Sequence, residues 1–442
     1  MKLNLSKGQP KLLHAWAFYD WANSVYSLVI SSAIFPIYYG ALTLVKDGDG
    51  NVINDRVEFL GFSFNNDTLI SYTTALGFLV VVIVSPILSG IADNLGNKKR
   101  FLQFFCYLGS LSCIGLFWFD LEHFGLGLLF YFLGLIGFWG SLVFYNSYLP
   151  DIAFKHQQDK ISAKGFSLGY IGSVILLLLC LGMILNYESL GFESESFPTR
   201  LSFVLTGVWW ISFSQYTFYR LPPVKNTQSK PIRKILTGGY KELRQVYLKI
   251  VQSQKFRYFL SAFFMYSIAV QTIMLIATYF GVKEIQWPGG DATTGLITSI
   301  LLIQLVAIGG AYFAARLTRL FSNESILIVI NAVWVAVCIY AYFIETPTEF
   351  YIAAFFVGLV MGAIQSLSRS TYSKYIPDSE TDTTSFFSFY DVTEKIGIVI
   401  GMSIYGLIAQ LTGNVRYAIL VLLVCFLIGI FYLFRILKRP KK

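Results

Sequence analysis

Gly90-Ile91-Ala92-Asp93-Asn94-Leu95-Gly96-Asn97-Lys98-Lys99-Arg100 lies between two long apolar runs, one ending near Ile91 and the next starting near Phe101. Each residue type in it has a physical task at a membrane edge. Gly90 has no side chain, so a neighbouring helix can approach its backbone. Asp93 is a carboxylate that can face a helix N-terminus, where free N–H groups carry partial positive charge. Gly96 permits a tight turn back into the bilayer. Lys98, Lys99 and Arg100 hold the loop on the cytoplasmic side. An ordinary basic turn would need only the triplet, whereas here Gly, Asp and Gly precede it at a fixed spacing.

The apolar runs on either side belong to a series. The chain of 442 residues is 55% hydrophobic and 13% charged, with a mean hydropathy of +0.60. Its apolar stretches recur at lengths that cross a bilayer, about 20 residues each. Twelve are expected, near 16–43, 69–91, 100–119, 124–149, 165–187, 200–220, 257–281, 294–315, 325–344, 349–370, 385–411 and 415–437. With both termini in the cytoplasm, twenty-eight of the 34 Lys and Arg fall on the cytoplasmic side. Five face the other way (Lys46, Arg56, Arg200, Lys283, Arg416), and Lys395 is left inside a span. A missed span would invert half of this bias, so the net charge of +9 reads as a topological signal. A nucleic-acid partner is not expected, because no basic stripe lies away from the membrane edge. The first run is too long for a signal-peptide core and lacks an A-x-A site, so it is expected to remain as a span. The five cysteines all fall within spans without metal-ligand spacing and read as small apolar core residues.

The quoted loop, placed between the second and third spans, resembles the signature loop of the major facilitator superfamily. The first span adds Tyr19-Asp20-Trp21-Ala22-Asn23-Ser24, then Ile34-Phe35-Pro36-Ile37-Tyr38-Tyr39, and the eleventh adds Phe389-Tyr390-Asp391-Val392-Thr393-Glu394-Lys395-Ile396-Gly397. These are similar to the vacuole-effluxer-like branch of that superfamily, which includes the autophagy-related amino-acid effluxer of fungal vacuoles. The resemblance implies an all-α integral membrane fold of twelve transmembrane helices in two pseudo-symmetric six-helix halves. It also implies docking of Asp93 on a neighbouring helix end near Ser385. An internal repeat agrees with two halves: Tyr148-Leu149-Pro150-Asp151 recurs as Tyr375-Ile376-Pro377-Asp378, and Gly172 answers to Gly397 at nearly the same offset. The counterpart of the signature loop, Ala311–Arg319, keeps Arg316 and Arg319 but has lost the acid. The expected division is residues 1–221, a basic cytoplasmic linker at 222–256 with an amphipathic helix over Ile232–Val251, and residues 257–442. The glycines of the fourth span (Gly134, Gly137, Gly140) and of the fifth (Gly165, Gly169, Gly172) are spaced for close helix packing. The superfamily's antiporter signature puts a proline among the fifth-span glycines, and its absence argues against drug/proton exchange.

Ionisable groups inside spans are costly and need a partner or water. Asp20 has two readings: it sits below the headgroups paired with a base such as Lys11, or it serves a site. Asp391 and Lys395 stand one helical turn apart and share a face, with Glu394 also in reach. This turn is either a structural ion pair or a binding and coupling site, and in both cases it must face the bundle interior. The candidate site for substrate or coupling ion is Asp20, Asn23, Tyr26, Gln271, Gln365, Asp391, Glu394 and Lys395. The candidate conformational latch is Gly90, Asp93, Gly96, Lys98 and Arg100. Gln304, Asn331 and Arg369, near the end of the tenth span, are further polar residues there.

The expected function is secondary active transport of a small polar solute by alternating access, coupled to protons through Asp20, Asp391 or Glu394. Resemblance makes the solute an amino acid or similar zwitterion. Two alternatives remain open: an exporter of drugs or metabolites, and a non-transporting membrane sensor or scaffold on the same fold. No cofactor or metal is expected, and no enzyme, since no nucleophile–base pair or metal cluster appears. His14, His123 and His156 lie at membrane edges. No G-x-x-x-x-G-K-[ST] loop is present, so ATP drive is not expected. The chain is expected to act as a monomer in the plasma (inner) membrane if its source is bacterial.

Overall fold

A computed structural model describes residues 6–46, 52–222, 239–288, 292–380, 382–412 and 414–438. Six long helices form the first half: α1 (Pro10–Thr43), α2 (Asn66–Leu95), α3 (Lys98–Gly115), α4 (Phe124–Ser147), α5 (Lys155–Leu185) and α6 (Ser196–Arg220). Six more form the second: α7 (Gln254–Glu284), α8 (Ala292–Leu317), α9 (Asn323–Phe343), α10 (Pro347–Tyr375), α11 (Thr383–Thr412) and α12 (Val415–Leu437). Eleven of these are both long and apolar enough to cross a membrane. The twelfth, α6, has 25 residues but carries many Ser, Thr, Trp and Tyr side chains, which lower its hydropathy. It packs on α1 and α3, so much of that polarity is turned inward.

Two apolar cores correspond to the halves. One gathers buried side chains from Leu12 to Leu221. The other gathers Val246 to Ile436, with Tyr170 reaching in from α5. The halves meet where α2 packs on α11 and where α5 packs on α8 and α10. Within the first half, α3 lies on the glycine face of α4: a Cβ on Gly137 would come 2.4 Å from Gly109.

Helix α1 is not regular. It is α-helical over Pro10–Val25, widens to a π-helix over Tyr26–Ala33 and resumes as an α-helix at Ile34–Thr43. Pro36 explains the change, because it cannot donate to the carbonyl four residues back, at Ser32, and its ring crowds that carbonyl. The Ser32 hydroxyl donates to Ser27 O at 2.9 Å. The helix also starts earlier than residue 16, so Asp20 lies nearly three turns in, deeper than its place in the apolar run suggested.

Two short antiparallel hairpins follow α1, pairing Val45–Lys46 with Val52–Asn54 and Arg56–Phe59 with Phe62–Asn65. Asp47 and Asp49, between the first two of these strands, lie outside the described residues. In the linker, residues 223–238 lie outside them, and a helix spans Gly239–Gln252. Its Val246 and Ile250 are buried, and it lies across the ends of α2, α7 and α11. That end of the bundle also carries Lys98, Lys99, Arg100, Lys155, Arg316, Arg319 and Lys374, and is called the basic end below.

Candidate functional site

A cavity of about 270 Å³ lies between the halves, walled by α1, α2, α4 and α5 on one side and by α7, α8, α10 and α11 on the other. Asp20, Asn23, Gln271, Gln365 and Glu394 line it, and so does Arg369. Tyr26 does not belong to this wall. It is fully buried inside the first half, stacked on Phe138 with ring centroids 4.9 Å apart. Asp391 and Lys395 stand behind Glu394 and are not part of the lining.

Two charged centres flank the cavity. In the first, Asp20 accepts from Arg369 Nη2 at 3.1 Å and from the Tyr145 hydroxyl at 2.8 Å. Lys11 is exposed and is not its partner, which corrects one of the two readings of Asp20. Arg369 comes from α10, yet its donors go to the other half. Nε reaches Ser162 Oγ at 2.9 Å, Nη1 reaches Asn146 Oδ1 at 3.3 Å, and Nη2 also reaches Ser162 O at 2.9 Å. Its guanidinium lies over the rings of Phe166 at 4.1 Å and Trp16 at 4.9 Å. Both side chains of the ion pair are buried. A glycine makes room for them: a Cβ on Gly165 would lie 2.3 Å from Asp20 Oδ2 and 2.9 Å from Arg369 Nη2.

In the second centre, Lys395 donates to Asp391 Oδ1 at 2.9 Å and to Glu394 Oε2 at 2.8 Å. Its side chain is fully buried and its Nζ lies 3.5 Å above the centre of the Trp139 ring, a cation–π contact across to α4. Glu394 Oε1 accepts from Gln271 Nε2 at 2.6 Å, which turns this carboxylate to the cavity. Asp391 Oδ2 is buried and lacks a hydrogen-bond partner. Two acids against one base leave this centre with more negative than positive charge. Gln365 accepts from the Tyr170 hydroxyl at 2.7 Å, another bond between halves. Asn23 Nδ2 and Gln304 Oε1 are buried polar atoms on the lining without partners.

Polar links gather at the basic end. Asp93 caps the start of α11: it accepts from Thr384 N at 3.2 Å, Ser385 N at 2.8 Å and Ser385 Oγ at 2.9 Å. Gly96 turns the chain after it at φ 63° and ψ 25°, a left-handed conformation that suits glycine. Gly90 is buried. Lys98, first of the triplet expected to hold the loop on the cytoplasmic side, is only 3% exposed. It pairs with Asp151 and donates to Ser147 O and Thr383 Oγ1, both at 3.2 Å. Lys99 donates to Leu221 O at 2.9 Å, while Arg100 is exposed. A second clamp stands at the other seam, again with the acid on the first half: Lys374 of α10 pairs with Asp159 of α5, and Asn323 Nδ2 joins Asp159 Oδ1 at 2.8 Å.

Arg369 and Lys98 were not legible as inter-half contacts. Each lies near the end of an apolar run, where a base ordinarily reads as an edge anchor. No group of three or more His, Cys, Asp or Glu suited to a metal occurs among the described residues.

Residues 8–441 match the family model described as vacuole effluxer Atg22 like. The chain is 33% identical over 422 residues to YxiO, an MFS-type transporter of Bacillus subtilis (strain 168), covering 94% of this chain and 92% of that one. It is 25% identical to autophagy-related protein 22-1 of Aspergillus terreus (strain NIH 2624 / FGSC A1156), with 82% and 73% covered. Among solved structures, the MFS transporter FucP in the outward conformation superposes with a TM-score of 0.69 at 14% identity, covering 98% of this chain and 99% of that one.

Proposed function

Because this chain belongs to the vacuole effluxer Atg22-like family of major facilitator transporters, we propose that it carries a small zwitterion such as an amino acid across the membrane by alternating access. The observation that carries this reading is a cavity between two halves whose wall holds both an acid, Glu394, and a base, Arg369. Glu394 offers a counter-charge to an ammonium group. The unpartnered Asn23 amide and the nearby guanidinium offer donors to a carboxylate. Proton coupling is part of the proposal. Asp20 and Glu394 are carboxylates on the lining, and the surplus acid beside Lys395 gives an entering proton charge to neutralise.

The basic end is the cytoplasmic end in this reading, by the positive-inside rule, so both termini lie in the cytoplasm of a plasma membrane. The contacts of Asp93, Lys98 and Asp159 then close the cytoplasmic side, while Ser31 and Ser32 on the lining remain exposed, which favours an outward-facing state. Gly90, Asp93, Gly96 and Lys98 form the latch, and the exposed Arg100 stands outside it. Residues 1–221 and 257–442 are the rocking units, and 222–256 ties them. One chain holds a complete cavity, which supports action as a monomer.

The test is uptake of a panel of radiolabelled amino acids and dipeptides into proteoliposomes, with and without an inward proton gradient. At least one solute should accumulate, the gradient should speed it, and Glu394→Gln should abolish the gradient's effect. No uptake of any panel member by folded protein would sink the amino-acid reading. Uptake indifferent to the gradient in wild type would sink the coupling.

A further inference from the structure

Behind the polar cavity the second half holds another space. It has a volume of about 140 Å³ and lies between α7, α8, α9, α10 and α12. Ala277, Ala341, Ala353, Ala354 and Cys338 line it, among larger apolar side chains. The two spaces adjoin: Leu28, Ser32, Met274, Gln304 and Met361 border both.

Counted in chain order, α1, α3, α4 and α6 of the first half answer to α7, α9, α10 and α12 of the second, and in the first half aromatic rings meet among these helices. Phe35 stacks on Tyr131 at 4.6 Å and lies 5.6 Å from Phe119 and 5.9 Å from Phe203. Duplicated halves would be expected to solve one packing problem alike. Here one half brings aromatic rings together and the other lines a space with alanines. Protein interiors are close-packed, and a space of this size beside the polar cavity leaves dispersion contacts unmade along its wall.

The walls are mainly apolar, with Ser32, Thr278 and Gln304 as their polar members, so the chamber favours an apolar group over water. A dry apolar cavity of about 150 Å³ accepts a benzene-sized group. At the border stands Gln304, whose Oε1 is buried and unpartnered, an acceptor in need of a donor. A molecule with a polar head in the first space and an apolar tail in the second would satisfy both.

We propose that the chamber between α7, α8, α9, α10 and α12 receives the apolar tail of the transported solute, with Gln304 accepting a hydrogen bond from its head. The solute is thus amphipathic, with a tail of roughly four to six carbons by comparison with a benzene-sized guest. This rests on the transport reading above and adds to it a second subsite that sets selectivity.

Calorimetric binding to the purified full chain in detergent tests it with two homologous series. One is alanine, norvaline and norleucine; the other is ethylamine, butylamine and hexylamine. In at least one series affinity should rise about fourfold per added methylene, the transfer free energy of a CH₂ expressed as a ratio. Ala353→Phe, which fills the chamber, should flatten the rise while the shortest member binds as before. Ala341→Leu narrows the space from α9 and should do the same if the first variant does not fold. A flat series in wild type, absence of binding included, overturns the proposal. So does a rise that survives the filled chamber. Failure of the transport reading looks different: binding would depend on chain length while no member of the series crossed the membrane of proteoliposomes.

Discussion

The two charged centres beside the cavity are built on opposite plans. Arg369 sits on one half and spends its hydrogen bonds on the other, on Asp20, Asn146 and Ser162. Lys395 finds its two acids on its own helix, one residue and one turn away, and meets the other half at the face of Trp139. Separation of the halves at the basic end therefore breaks the first centre and leaves the second almost whole. An ion pair that must come apart in each cycle couples movement to charge, because Asp20 then loses its base. An ion pair that rides on one helix keeps a fixed charge in the cavity wall whichever way the molecule faces. The first plan suits a switch and the second a standing binding surface.

The largest effect should come from breaking the first centre. Arg369→Gln leaves Asp20 buried without a counter-charge and Ser162 and Asn146 with lost donors. Removing one member of a buried pair typically costs about 3–5 kcal/mol. Thermal unfolding in detergent should show that loss, and Asp20→Asn combined with Arg369→Gln should recover a large part of it, since the two residues share one interaction. The state of the molecule should change too. A thiol-specific label at Ser162→Cys should react faster once Arg369 is replaced, because the closed seam is weakened. If Lys395→Met exposed that position just as much, the contrast between a switch and a standing charge would fail.

The second centre can be sharpened by the sign of its response. Lys395→Met strands two acids, Asp391 and Glu394, in a buried turn, and should lower stability by about 3 kcal/mol. Asp391→Asn instead removes the surplus charge, whose second oxygen has no partner, and leaves a balanced pair of Glu394 and Lys395. Its stability should stay within about 1 kcal/mol of wild type. Equal losses in the two variants would mean that Asp391 is structural in the same sense as Lys395.

This difference between the centres also marks what a sequence can disclose. Asp391, Glu394 and Lys395 are written within five residues, so helical spacing alone brings them together. Asp93 came with its turn glycine and lies against the helix end at Ser385 that the family pattern names. Asp20 and Arg369 are 349 positions apart, and nothing local couples them. Arg369 looked like a member of the basic edge because its run of apolar residues was nearly over. Tyr26 erred the other way. It follows Asn23 in a polar stretch of α1, but the helix changes to a π-helix at that residue, and its ring turns into the first half instead of the cavity. The apolar chamber left no trace in the pattern, since alanines in a span read as ordinary packing. Spacing reports neighbours on one element, whereas partners across the two halves are set by how those halves pack.

The smallest expected effects lie at the basic end, where the comparison between centres becomes one between neighbouring residues of a single loop. Asp93 joins the halves by three hydrogen bonds at the start of α11, and its charge faces the partial positive charge of that helix end. Asp93→Asn keeps the size and one acceptor but removes the charge. The loss should be about 1 kcal/mol, enough to shift the ratio of closed to open basic ends by about fivefold, since about 1.4 kcal/mol is tenfold. Arg100 is exposed, so Arg100→Gln should stay within about 0.5 kcal/mol and leave that ratio alone. The ratio can be read from the distance between spin labels placed on the ends of α2 and α11. Equal shifts in the two variants would show that the loop acts through its total charge, and that docking of the Asp93 carboxylate on α11 is incidental to closure.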